Sequence, residues 1–465
     1  MSRGPVVFVG RGVWAATVFL VAASVCGAPA SAESLDSAMA SAYTNNPDLN
    51  SARAQLRAID EGVPRAKSSY RPQISLSGDI GASTSRSKLF PEWSTGSTPR
   101  GVTLAVEQPL FLGFRTKNSV KMAETSVKAA REQLKLVEQQ VLFDAVSAFM
   151  DVVRAQVVVN LTAQNVEFLR EQVRAAKDRL EVGEGTRTDV AQTDARLSQG
   201  MSDYASAVSD LNRSIAVYVQ VIGHKPERLG AVNGIEKLIP ASVDAGLATA
   251  QASHPGIIAG LYNIDVASWN VRISEGATLP TVTLSGSVTH RDNGVDGIGS
   301  SWNDTAAITG RLNVPIYQGG EVAADVRQLK ETLGQRRIEL DSTRAEVRQR
   351  LISTWGALDA AKAVVRSAAL QVSAQQLVLS GVIEERRVGQ RTTLDVLNAQ
   401  QDLLAAQVEQ VTAQRDRVVA AYALVAALGK LNAQSLGLPV TVYDPDQHYD
   451  AVKDKWMGLR TPDGR

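Results

Sequence analysis

The chain has 465 residues, 44% of them hydrophobic, with 49 basic side chains against 48 acidic ones. That length suggests roughly two or three ordinary domains. The hydrophobic content excludes a disordered chain, and the near-neutral balance lacks the basic excess of a nucleic-acid binder, so no nucleic-acid partner is expected.

The first 32 residues read as a secretory leader. Arg3 and Arg11 give a positive start, the apolar run Val13 to Val25 (VWAATVFLVAASV) follows, and Ala30-Ser31-Ala32 offers a small-residue cleavage site before Glu33. The run is too short for a membrane-spanning anchor. Cys26, the single cysteine, has Ala23 three residues before it where a lipidated cysteine has Leu, so neither lipidation nor, after cleavage, any disulfide is expected. Removing Arg3 and Arg11 leaves 47 basic residues against 48 acidic ones, a charge of −1. The rest of the chain has no apolar run of about 18 residues, so it can enter a membrane only as strands.

A front helix is predicted over Leu35–Ser68, interrupted at Pro47. Two strand-like segments follow at about 73–83 and 101–110. Ile74, Leu76, Gly78, Ile80 and Ala82 share one face of the first, and Val102, Leu104 and Val106 one face of the second. Each has about the length of a tilted membrane-spanning strand. The polar, Gly/Ser-rich stretch 84–100 between them reads as a loop. From Gly113-Phe114-Arg115 a heptad runs through Val120, Val127, Leu134 and Val141, slips by four, and continues through Ala145, Val152, Val159, Val166, Val173 and Leu180. This predicts one helix of roughly 65 residues, about 100 Å long. The turn VGEGTRTDV (182–190) ends it. A returning helix carries Val190, Leu197, Tyr204, Leu211 and Tyr218 to Gly223.

Everything then recurs. A second front helix, Val243–Glu275, is broken at Pro255. Strands follow at about 281–290 and 305–316, with Val282, Leu284, Gly286 and Val288 on one face and Ile308, Gly310, Leu312 and Val314 on the other's; residues 291–304 read as the loop between them. The long-helix series returns 206 residues later as Val326, Leu333, Leu340 and Val347, then the same slip, then Leu351, Leu358, Val365, Val372 and Leu379. The turn VGQRTTLDV (388–396) leads to a helix ending at Gly429. A repeated phase slip marks an internal duplication whose helices change twist at the same height. Either Thr186 or Thr188, and either Thr392 or Thr393, can cap the returning helices. Tyr70, Phe90, Trp93, Phe111, Phe114, Trp302 and Tyr317 cluster near strand ends and fit interfacial girdles. The expected division is a leader at 1–32, repeats at 33–223 and 243–429, a connector at 224–242 and a peripheral tail at 430–465.

Four strands cannot close a barrel, and an open edge cannot face lipid, so strands that enter a membrane require several copies. Two copies give a packed barrel; three give room for a channel. A soluble hairpin scaffold or periplasmic adaptor is the alternative, and it leaves the paired alternating strands unexplained. No enzyme is expected: His224, His254, His290 and His448 are scattered without metal-ligand spacing, and no phosphate loop or nucleophile elbow is present, so neither cofactor nor metal is expected.

The element order, the duplication, the tips GEGTRTDV and GQRTTLDV and the strand exits QPLF and VPIY together resemble the TolC-type outer membrane factor family. The tip GEGTRTDVAQ and the tail YDPDQHYDAVKDKWMGLRTPDGR resemble its α-proteobacterial branch. The resemblance covers essentially the whole mature chain. It implies a mostly α fold with a small transmembrane β part: a homotrimer with a 12-stranded barrel in outer membrane lipid and a periplasmic α-barrel. It also implies docking to a periplasmic adaptor and an inner-membrane transporter, for drug efflux or type I protein secretion. It further implies that the tips form a periplasmic mouth, closed at rest, with Asp189 pairing with Arg391 and Asp395 forming a ring of carboxylates. Helix capping is the simpler role for both aspartates. Asn398 stands where many relatives carry a second aspartate, and Arg386 where some carry a mouth-locking tyrosine. Gly183, Glu184, Gly185, Thr186, Gly389, Gln390 and Thr392 are the expected adaptor-contacting tip residues.

Overall fold

The computed structural model describes residues 33–86, 94–230, 235–295 and 299–464. The leader, Cys26, Phe90 and Trp93 lie outside them. In chain order the first half contains α1 (Leu35–Asn45), α2 (Pro47–Asp60), α3 (Gly62–Lys67), β1 (Gln73–Ile80), β2 (Ser83–Arg86), β3 (Ser94–Leu112), α4 (Arg115–Glu181) and α5 (Arg187–Ile222). The second contains α6 (Val243–Ser253), α7 (Pro255–Glu275), β4 (Thr281–Val295), β5 (Gly299–Asn313), α8 (Glu321–Arg387) and α9 (Thr393–Ala427), followed by α10 (Ala433–Leu436) and α11 (Pro445–Val452).

Both prolines sit at the first turn of a new helix, where a missing N–H costs nothing. Each follows an extended cap residue. Asn46 Oδ1 accepts from the N–H groups of Asp48 and Leu49, and His254 Nδ1 accepts from Gly256 N–H at 3.1 Å. The single front helix expected over Leu35–Ser68 is thus divided, with a further break at Glu61.

Helices α4 and α8 each run 67 residues without interruption, and their ends differ by the same 206 residues as the sequence repeat. At 1.5 Å per residue each is about 100 Å long. Residues on both sides of the phase slip stay in the seam: Val141, Ala145 and Val152 are buried in α4, and Leu340, Val347, Leu351 and Leu358 in α8. One core cluster joins Leu142, Phe149, Tyr218 and Ile222 to Met39 and Leu49 of the front helices; a second joins Leu351 and Leu358 to Ile257 and Leu424. α8 is the less covered of the long pair. Ile338, Leu370 and Leu377 on it are each more than 70% exposed. None of the described helices is long and apolar enough to cross a membrane.

The strands form one antiparallel sheet, ordered β1-β3-β4-β5 with β2 on β3, and β1 and β5 are its open edges. The expected loops at 84–100 and 291–304 are corrected here: residues 94–100 belong to β3, and 291–295 and 299–304 to β4 and β5. Gly and Ser composition suggested a loop because both faces of this stretch are polar. No apolar alternation marks it, and its backbone is satisfied by the neighbouring strands instead. Below it the predicted faces line up in rows. Ile74, Val106, Gly286 and Ile308 form one row, and Leu76, Leu104, Val288 and Ala306 the next. The other face carries Ser75, Ser77, Thr103, Ser287, Thr289 and Thr305.

Candidate functional site

Each hairpin tip is built the same way. The long helix ends in a glycine at positive φ, Gly183 (+79°) or Gly389 (+80°). Glu184 N–H then donates to Arg179 C=O, and Gln390 N–H to Glu385 C=O, both at 2.9 Å. This closing pattern requires a left-handed residue, which glycine adopts without strain. The returning helix starts at a capping box. Thr186 Oγ1 accepts from Asp189 N–H at 3.1 Å, while the Asp189 carboxylate accepts from Thr186 N–H and Oγ1–H at 3.2 and 2.7 Å. Thr392 and Asp395 repeat the box at 3.2, 2.9 and 2.8 Å. Of the expected caps, Thr186 and Thr392 are used; Thr188 and Thr393 are not. The hydrogen bonds from Thr392, aided by the nearby Arg391 charge, hold the Asp395 carboxyl below its usual range.

Among the differences between the two tips, one changes an ion pair. Gly185 packs on Arg179, and a Cβ there would stand 3.2 Å from the Arg179 Cβ. The matching residue 206 positions on is Arg391, and the match of Arg179 is Glu385. Arg391 Nε donates to Glu385 Oε2 at 2.9 Å, which raises the guanidinium pKa further. Within the chain, therefore, Arg391 is engaged by Glu385 and Asp189 by Thr186, and the two are not joined. Asn398 Oδ1 accepts from Arg196 Nη2 at 2.9 Å, tying α9 to α5. Arg386 Nη1 donates to Gln172 Oε1 at 2.9 Å; burial, with Arg179 and Arg387 nearby, pulls its pKa down. Neither Glu385 nor Arg196 stood out in the sequence. Glu385 could have been found by comparing the two tips position by position.

At the other end of the molecule the sheet presents its apolar rows outward. Ile74, Leu76, Ile308 and Leu312 are exposed on the isolated chain. The band ends in polar cross-strand pairs. His290 Nδ1 lies 2.5 Å from Asp304 Oδ1, and Arg100 Nη2 donates to Asp292 Oδ2 at 2.6 Å. Exposed Trp302 stacks beside His290. Tyr70, Phe114 and Tyr317 are exposed at the helix-side end. An apolar strip between aromatic and charged borders matches a wall set in lipid. Among the described residues, no group of three or more His, Cys, Asp or Glu is arranged to hold a metal.

A sequence profile described as outer membrane efflux protein matches residues 38–224 and 246–430, one stretch in each repeat. The chain belongs to the outer membrane efflux protein family. It is 47% identical over 451 residues, 97% of each chain, to the outer membrane efflux protein BepC of Brucella suis biovar 1. It is 24% identical to the outer membrane protein TolC of Escherichia coli K12, across 87% of this chain and 84% of that one. It is also 25% identical to the alkaline protease secretion protein AprF of Pseudomonas aeruginosa, across 79% and 77%. The Campylobacter jejuni CmeC outer membrane channel shares the fold, with a TM-score of 0.76 at 17% identity over 90% of this chain and 89% of that one. The protein is an outer membrane channel of the efflux and type I secretion kind, extending into the periplasm. It is not the soluble scaffold or adaptor weighed as the alternative.

Proposed function

We propose that three copies join into a passive duct. The observation that carries this reading is a sheet four strands wide, with β2 continuing the β1 edge along β3, an outward apolar face and two open edges. Such edges are untenable in lipid, and twelve strands from three chains close a barrel with a lumen. The exposed apolar residues of α8 fit the same assembly, because a 100 Å helix with an uncovered stripe needs a neighbour.

The tips are the proposed mouth and docking face. Val182 and Val388 occupy equivalent places there and are about 70% exposed, which suits a periplasmic adaptor helix. Gly183, Glu184, Gly185 and Thr186, with Gly389, Gln390 and Thr392, surround them. An inner-membrane transporter behind the adaptor would supply the energy. In the closed mouth Arg391 would exchange Glu385 for Asp189 of a neighbouring copy, and Asp395 would face the axis. Converging carboxylates there would attract cations. Asn398 gives no second acidic ring, and Arg386 is committed to Gln172 rather than to a lock. The likeness to BepC favours efflux as the cargo class; the likeness to AprF favours secretion of a protein as a second reading.

Single-channel recording of the purified protein in a planar bilayer tests this, with Arg391→Ala beside it. A small conductance that rises in the variant is expected. A channel indifferent to the substitution would return Asp189 and Arg391 to capping and surface roles.

A further inference from the structure

On the polar face of the sheet one ion pair crosses an entire strand. Arg291 of β4 reaches over β3 to Asp79 of β1, and its Nη2 donates to both carboxylate oxygens at 3.0 Å. The residue between them in the register is Gly101. A Cβ at Gly101 would stand 3.3 Å from Arg291 Nε and 3.3 Å from Asp79 Oδ1, so the glycine provides the trough in which the guanidinium lies flat. The neighbouring row carries only small hydroxyls, Ser77, Thr103, Thr289 and Thr305, with the Thr103 and Thr289 hydroxyls 3.0 Å apart. The other charged residues at alternate positions on this face of the described strands are Glu107 and Arg311, both toward the helices. Arg311 is opposite Thr283, eight residues from Arg291, or about 26 Å along the strand at 3.3 Å per residue. Among the described strand residues, Arg291 is thus the one cation at the outer level of this face, and Asp79 the one anion.

Resting on the reading of this face as the lumen, we propose that the Asp79–Arg291 pair sets the charge and bore of the outer segment of the duct. Threefold symmetry would turn either residue alone into a ring of three like charges, which selects ions of the opposite sign. Held together in the Gly101 trough, the two cancel, and the long arginine side chain lies along the wall rather than across the lumen. The outer exit is then wide and indifferent to cargo charge. On the outward face Arg100 and Asp292 likewise pair at the same height. Stapling of β1 to the sheet is the competing role. The backbone ladder from Gln73 to Ile80 already supplies that attachment, and an exposed pair adds little to it.

The test is the reversal potential of the full protein in a planar bilayer under a KCl gradient. Asp79→Asn is expected to shift it toward chloride, Arg291→Gln toward potassium, and the double variant to return it to the wild-type value. Gly101→Val, which displaces the pair, is expected to lower the conductance. In parallel, Ser287→Cys on the polar face should react with a charged thiol reagent, and Val288→Cys on the apolar face should not. The reverse labelling pattern would overturn the lumen reading and the proposal with it. Correct labelling with unchanged reversal potentials in both single variants would overturn the proposal alone. Reduced trimer yield with an unchanged reversal potential would assign the pair to stapling and likewise overturn it.

Discussion

Asp60 is fully buried, and its carboxylate is held at 2.9 Å by His448, 388 residues further along the chain. The pair clamps α11 against α2. Lys67–Asp454 and Arg131–Asp446 reinforce it at 2.6 Å, Arg71 donates to the Lys455 C=O, and its guanidinium lies over the Trp456 ring. The tail is therefore a strap across the front helices of the first repeat. Burial raises the Asp60 pKa, and the hydrogen bond from His448 opposes that rise. Removing one partner of a buried pair costs about 3–5 kcal/mol, whereas exchanging both for apolar residues is often near neutral. His448→Ala is expected to loosen the strap, seen as faster proteolysis within 437–464, and Asp60→Leu with His448→Leu to recover most of the protection.

The capping boxes carry a separate expectation. Thr186→Ala and Thr392→Ala each remove the acceptor for an N3 N–H, at about 1 kcal/mol per cap. Amide hydrogen exchange should quicken in the first turns of α5 and α9 respectively, with the distal ends unchanged. Equal protection in both variants would mean that neighbouring contacts, not the caps, hold the tips.

His254 gives a pH dependence. Its Nδ1 accepts a backbone hydrogen bond, so the neutral ring is the capping form. Burial, with the Arg350 charge nearby, lowers its pKa from the ordinary 6.5. With the folded value depressed, the unfolded chain binds the proton first as pH falls. The stabilisation is therefore complete above about pH 6.5 and is lost as pH drops through the folded value. His254→Asn keeps a capping acceptor without a titrating group and is expected to flatten the fall in thermal stability below pH 6.5 relative to wild type.

Gly113 should tolerate no side chain. Its φ is +61°, and a Cβ there would collide with the Gly276 carbonyl oxygen, where the first repeat's strand exit meets the turn into β4. Gly113→Val is expected to abolish trimer yield. Gly334→Ala, where a Cβ meets nothing within 4 Å, should assemble normally, and size-exclusion chromatography separates the two outcomes.

The particular residues show what a sequence can disclose. Pro47, Pro255, Thr186 and Thr392 act through neighbours two to four positions away, so their roles were visible locally. The faces of β1, β3, β4 and β5 were visible through alternation, as far as the lipid imposes it. Past Arg100 and Asp292 both faces are polar, alternation vanishes, and strands read as loops. Asp79–Arg291, Asp60–His448 and Arg196–Asn398 join residues some 200 to 400 positions apart, and no spacing rule connects such partners.

In the proposed assembly the open edges β1 and β5 meet between copies to close a barrel. Disulfide trapping reads this directly, because Cys26 is the only natural cysteine. Paired cysteines would be placed at Ser75 or Ser77 on β1 and at Thr305, Ala307 or Thr309 on β5, then oxidised in outer membranes and run on a non-reducing gel. The expected result is a covalent trimer for at least one register. Monomers or dimers alone for every combination would contradict the closed threefold barrel.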